Sequence, residues 1–416
     1  MRPKEKCEWA WSVFIAATFE YDTPKIVHIR NKKVGVLYRL FQLCIMGFMI
    51  GYSIIYSKGY QDTQTVIGAV TTKLKGVQYY NVTGGVPFLQ NCVATNEPLV
   101  LDPADYVIPP EQPSSFFVMT NMWVTCNQTY GTCVEQDPSL ASKCSGPADC
   151  TPQSTIKGDG PRTGTCNNQT HTCDVYAWCP TEYENTNFTN MGPKINAESF
   201  TVLIKNTIQF PNLDPNFFKK NYISNGDLAN CTNSLIGNNY CPIFKLADIV
   251  NMISEEPKNF SNLATKGAVV VLTITWNCDL DMSLDHCNPR YSARRLDTTP
   301  LDTASNSGGF NFRFAKYWYD SNGVQYRTLI KAYGISFVVE LVGQGGKFSF
   351  TALIFKLGST IALLGIAAVL SDMVVLYVVQ KRHLYHQAKY QVVNDEDDSV
   401  AGDDSHYHSV HPLLNK

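Results

Sequence analysis

The chain lacks the signatures of catalysis. No GxSxG, HExxH or phosphate-binding P-loop occurs in its 416 residues. Acidic pairs such as Asp279 and Asp281 have no nucleophile placed beside them. An enzyme is therefore not expected. Charge of one sign is also lacking. The formal net charge is −2, which gives no electrostatic reason to expect a nucleic-acid partner. There is no internal repeat and no CxxC pair. Between Cys126 and Cys179 successive cysteines lie seven, eleven, six, sixteen, seven and six residues apart, a poor fit to a zinc ribbon.

Long apolar runs are present, and there are two. VGVLYRLFQLCIMGFMIGYSIIY (residues 34–56) and FSFTALIFKLGSTIALLGIAAVLSDMVVLYVV (residues 348–379) each reach the roughly 20 residues a bilayer-spanning helix needs. A cleaved secretory signal does not fit the first, because a long polar stretch precedes it and no small-residue cleavage site follows. Basic residues flank both runs on their outer sides: Lys25, Arg30, Lys32 and Lys33 before the first, Lys381, Arg382 and His383 after the second. Both termini therefore read as cytoplasmic. All six N-x-S/T sequons, at Asn81, Asn127, Asn168, Asn187, Asn230 and Asn259, fall between the runs. So do 12 of the 14 cysteines, as an oxidising compartment requires. The expected layout is a cytoplasmic N-terminus (1–33), a first span (34–56), an extracellular domain (57–347), a second span (348–379) and a cytoplasmic tail (380–416).

The extracellular segment reads as mainly β. FTVLIKNTIQF (200–210), GAVVVLTITWNC (267–278) and RTLIKAYGISFVVEL (327–341) are rich in β-branched and aromatic residues, in places on both faces, as strands packed between sheets require. The best helical candidate there is CPIFKLADIVNMI (241–253). The cysteine-dense stretch carries too little apolar surface for its own core, so disulfides must hold it. VGQGGKF (342–348) reads as a glycine-rich linker able to act as a hinge before the second span. The acidic tail from Asn394 is expected to be disordered.

Cationic residues recur in strand-like contexts. Lys73 and Lys75 are two apart, so on a strand both ammonium groups point to one face. Asn311 and Arg313 share the same spacing, and Lys331 interrupts an otherwise apolar strand. Alternating charge is usually a solvated face, and alone these residues suggest an anion site only weakly.

The words ADYVIPP, AWCP, SFTVLIKN, CPIFKLADIV, NPRYSARRLD, GFNFRFAKY, LIKAYGI and SDMVVLY, in this order, resemble the P2X receptors, trimeric ATP-gated cation channels. The likeness runs from YDTPK (21–25) to YHQAK (385–389). It implies a homotrimer in the plasma membrane, with membrane lipid around the spans and extracellular ATP, with or without magnesium, as ligand. Lys73, Lys75 and Thr201 of one chain and Asn311, Arg313 and Lys331 of its neighbour would form the pocket. Leu203, Leu228 and Ile243 would pack base and ribose, and Lys205 would be a peripheral charge. The chemistry agrees, since four cations match a triphosphate and charge-assisted bonds contribute roughly 1.5–3 kcal/mol each.

The resemblance also implies the bridges Cys133–Cys179, Cys144–Cys166, Cys150–Cys173, Cys231–Cys241 and Cys278–Cys287. It leaves Cys92 and Cys126 over, which suggests a sixth. Thr23 with Lys25 matches the family's T-x-K motif, and Tyr385 with Lys389 its Y-x-x-x-K surface-retention signal. The gate is placed around Phe355, Lys356, Ser359 and Ala362, with Asp372 near the inner end. Lys356 departs from the family, which carries a neutral polar residue there. Three lysines at a constriction repel cations. Either Lys356 turns away from the axis or loses its proton, or selectivity differs. Zinc or proton modulation through His286 or acidic residues is allowed for, without an assigned metal site. Two rival readings lack their residues: a degenerin-class channel, whose hallmark motifs are missing, and an ectonucleotidase, whose metal carboxylates and nucleophile are missing.

Overall fold

The computed structural model describes residues 32–81, 92, 98–136, 143–154, 158–183, 193–222, 231, 241–254, 259–297, 309–380 and 382–389. Thr23, Lys25, Asn187, Leu228, Asn230 and the acidic tail from Asn394 lie outside these residues. The chain divides into two compact units, residues 1–61 with 349–416, and residues 62–348.

The first unit is helical. Helix α1 (Lys32–Gly47) continues as a π-helical segment through Tyr56, and α2 (Phe350–Met373) continues similarly to Val378. These make two apolar helices of 25 and 29 residues, long enough to cross a bilayer. Little of either is buried within the chain, which is not the condition of a soluble protein's core helix. The Ser349 hydroxyl accepts from the Ala352 amide (3.4 Å) and caps α2. On α2 the buried positions are Thr360, Ala367 and Ser371, spaced seven and four apart, so they form one stripe; α1 packs against α2. A short helix, α3 (Arg382–Lys389), follows.

The second unit is built on strands: β1 (Gln61–Thr65), β2 (Ile67–Lys75), β3 (Gln78–Tyr80), β4 (Leu99–Leu101), β5 (Ser115–Val134), β6 (Arg162–Asn167), β7 (Thr172–Cys179), β8 (Thr201–Phe210), β9 (Asp214–Lys220), β10 (Ile243–Lys245), β11 (Ala268–Asp279), β12 (Arg290–Arg295), β13 (Asn311–Tyr319) and β14 (Gln325–Phe348). The large sheet runs β12-β11-β14-β5-β7-β6, with β1 and β13 also on β14. A second sheet runs β10-β8-β2, with β9 on β8.

Side-chain alternation explains the second sheet. In β8, Val202, Ile204, Asn206, Ile208 and Phe210 are buried while the intervening side chains reach solvent. The inner face meets the larger sheet at Trp276, which is fully buried and whose Nε1–H donates to Asn206 Oδ1 (3.1 Å). In β11, the alternate side chains from Ala268 to Cys278 are buried, and Val271 is buried on the other face near the start of the strand.

Two expectations are corrected. Residues 342–348 are not a linker: they are the end of the 24-residue β14, and β11 pairs parallel to them from Thr275↔Val342 to Asp279↔Gly346. The glycines there serve close packing. A Cβ on Gly343, at φ +128°, would lie 2.0 Å from the Trp276 carbonyl oxygen, and one on Gly345 would lie 2.8 Å from the Phe210 ring. The helical candidate at 241–253 is helical only over Leu246–Asn251, after β10.

Six disulfides staple the unit: Cys92–Cys126, Cys133–Cys179, Cys144–Cys166, Cys150–Cys173, Cys231–Cys241 and Cys278–Cys287. The sulfurs of Cys144, Cys150 and Cys166 lie within 4.8 Å of one another, but all three are oxidised and supply no thiolate for a metal. Asn81, Asn127, Asn168 and Asn259 are exposed.

Candidate functional site

The register of the smaller sheet gathers the sequence candidates on one face. Lys75 pairs with Thr201 and Lys73 with Leu203 across β2 and β8, and Ile243 pairs with Leu203 from the other side. Directly paired residues point the same way, so Lys73, Lys75, Thr201, Leu203, Lys205 and Ile243 share the face opposite the buried Val202 and Ile204. Lys73 and Lys75 are exposed; Thr201, Leu203, Lys205 and Ile243 are half-buried. Apolar and cationic groups thus stand side by side, as an anion with an aromatic end requires. A cavity of about 990 Å³ runs along β2, lined by both lysines and, across from them, by Pro103, Val107, Glu111 and neighbouring residues.

The second set lies on the large sheet. Arg313 pairs with Lys331 and Asn311 with Tyr333 across β13 and β14, so these four share a face. The Lys331 ammonium stands 5.2 Å from the Tyr333 ring centroid, a cation–π arrangement. Arg313 Nε–H donates to Glu182 Oε2 at 2.5 Å, with Nη2 3.4 Å from the other oxygen. Burial works against the Arg313 charge, but the Glu182 hydrogen bond and charge outweigh it and raise the guanidinium pKa. The two sets occupy different sheets of one chain.

Sequence reasoning missed Glu182, which lies 131 residues from its partner in a polar segment with no distinguishing pattern. It also missed Lys220, Tyr222 and Lys245. Lys245 pairs with Thr201 on the same face. Lys205 and Lys220 both stand over the Tyr222 ring, at 5.1 and 5.6 Å.

In the membrane unit Phe355, Lys356, Ser359 and Ala362 are exposed on α2. Lys356 lies one turn before Thr360, on the stripe facing α1, and its Cε comes within 3.2 Å of where a Gly59 side chain would begin. Asp372, near the C-terminal end of α2, accepts a hydrogen bond from the Lys389 ammonium of α3. Tyr385 lies on α3 as well.

Two apolar helices at the ends of a disulfide-stapled β unit, with a cation-lined face, define a two-span membrane receptor for an anionic ligand. Comparison with known proteins sharpens this. The family model of the ATP P2X receptor matches residues 19–392. Mouse P2X purinoceptor 4 is 42% identical over 399 residues, covering 94% of this chain and 98% of its own. Human P2X purinoceptor 5 is 39% identical over 390 residues, covering 92% and 83%. An invertebrate P2X receptor from the Gulf Coast tick, crystallised with ATP and Zn2+, superposes with a TM-score of 0.70 at 37% identity, over 82% of this chain and 100% of that one. The chicken P2X7 receptor with the competitive antagonist TNP-ATP gives 0.65 at 34%, over 82% and 99%. The chain belongs to the P2X receptor family. It is accordingly a subunit of an ATP-gated cation channel of the plasma membrane, and not an enzyme.

Proposed function

We propose that ATP binds between neighbouring subunits of a homotrimer. Lys73, Lys75 and Thr201 come from one subunit, and Asn311, Arg313 and Lys331 from the next. The observation that carries this reading is the division of the cations: each set shares one strand face, and the two faces belong to different sheets. Leu203, Ile243 and Leu228 pack the base and ribose, Thr201 reads the adenine edge through its hydroxyl, and Lys205 is a further charge. Bound triphosphate draws the two subunits' cations together, the strands below spread, and the second helices part.

In this reading residues 1–33 and 380–416 are cytoplasmic, residues 57–347 are extracellular and glycosylated at the six sequons, and α2 lines a pore for sodium, potassium and calcium. Residues around Phe355, Ser359 and Ala362 form the gate. Zinc modulation is proposed by analogy with the tick receptor crystallised with that ion.

The test is whole-cell current from cells expressing this chain alone, with ATP applied outside. A millisecond inward current that disappears in Lys73→Ala and in Lys331→Ala supports the reading. Currents of normal size and ATP sensitivity in both variants overturn it.

A further inference from the structure

We infer that Lys220, paired with Lys205 across Tyr222, is a further contact for the terminal phosphate and so helps the receptor tell a nucleoside triphosphate from a diphosphate. The inference rests on the proposed ATP site and extends it.

β9 pairs with β8 so that Lys220 stands opposite Thr207. Thr207 belongs to the same alternating set as Thr201, Leu203 and Lys205, so Lys220 stands on the face that carries Lys73 and Lys75. Lys205 lies four residues along β8 from Thr201, about 14 Å at the usual strand rise. If Thr201 holds the base, the phosphate chain extends toward this end.

Both ammonium groups stand over one ring, Lys205 at 5.1 Å and Lys220 at 5.6 Å from the Tyr222 centroid. The ring's negative face attracts each of them, while the two like charges repel one another. A polyanion lying across both relieves that repulsion. A surface lysine pair held by nothing else would have little meaning, but this one is anchored. Asn221, between Lys220 and Tyr222, is buried. Its Nδ2 donates to the Ile204 carbonyl (2.7 Å) and to the Tyr291 hydroxyl (3.1 Å), and its Oδ1 accepts from the Asn206 amide (2.9 Å). Lys219, by contrast, donates to the Leu284 carbonyl and does not belong to the pair. Asp285, a carboxylate lining the adjoining cavity of about 300 Å³, has its Oδ2 bonded by the Ser283 hydroxyl at 2.9 Å.

The test is displacement of radiolabelled ATP by ATP and by ADP on membranes from cells expressing the full chain. In Lys220→Ala the displacing ATP concentration is expected to rise about tenfold, as loss of one charge-assisted contact implies, with ADP little changed. The ADP-to-ATP ratio therefore falls. Lys220→Arg should keep the ratio, and Tyr222→Leu should lower it as Lys220→Ala does. A Lys220→Ala protein that weakens ATP and ADP equally, or neither, overturns the inference. Lys73→Ala run in parallel separates the two readings. If Lys73→Ala abolishes ATP displacement while Lys220→Ala leaves the ratio unchanged, the site stands and the contact falls; if Lys73→Ala binds normally, both fall.

Discussion

Arg313, a proposed phosphate ligand, is engaged by Glu182 through a charged hydrogen bond of 2.5 Å, and the carboxylate is much the more buried of the two, 9% exposed against 51%. A carboxylate at that place repels an incoming phosphate and occupies the guanidinium that would receive it. Glu182→Gln keeps the shape and removes the charge. The half-maximal ATP concentration is expected to fall a few-fold, on the order of the 0.2–1 kcal/mol of a partly exposed pair. Concentration–response curves normalised to surface-labelled protein measure it. A rise at equal surface level means that Glu182 positions Arg313 for the ligand.

Asp372 and Lys389 form the second relationship that can be tested directly. The pair ties α3, which carries the Y-x-x-x-K motif, to the C-terminal end of α2. Lys389→Asp alone is expected to lower surface biotinylation about two- to fivefold, the size of a roughly 0.4–1 kcal/mol ion pair. Adding Asp372→Lys should restore much of it. A trafficking receptor that reads Lys389 within a linear signal gives no such recovery.

What the sequence revealed and what it concealed follow from range. The alternation in β8 and the β-branched run that opens β11 are local patterns, and strands follow from them. The shared face of Lys73 and Lys75 needs only the two-residue period. Residues 342–348 misled because glycine marks a loose linker and a close-packed strand alike. Only the Trp276 and Phe210 contacts, some 70 and 135 residues away in sequence, decide between them. Glu182 beside Arg313 and Lys220 beside Lys205 depend on register between strands, which side-chain pattern alone does not fix.

Lys356 is the residue whose charge contradicts a cation pore most directly. Its stem packs toward Gly59 and it shares the stripe of Thr360, Ala367 and Ser371, the side that meets α1. A long side chain in that position carries its ammonium along the helix surface toward the headgroups. Lys356→Gln is therefore expected to leave the reversal potentials for sodium, calcium and chloride unchanged. A shift of the chloride-dependent potential by more than a few millivolts would place the ammonium on the permeation path.

Gly343 of β14 pairs with Trp276 of β11, inside the parallel run from Ala268↔Ile335 to Asp279↔Gly346. Its φ of +128° is poorly tolerated by any residue with a Cβ, and that Cβ would sit 2.0 Å from the Trp276 carbonyl oxygen. Gly343→Ala must therefore push β11 and β14 apart or twist the backbone, at a cost of about 1–3 kcal/mol or more. The expected result is a lower thermal midpoint for the detergent-solubilised receptor and weaker surface expression. Gly131→Ala, in β5 with nothing within 4 Å of the added methyl group, is the control and should be close to neutral. If the two variants unfold at the same temperature, residues 342–348 are loose enough to absorb a methyl group and β14 does not run continuously to Phe348.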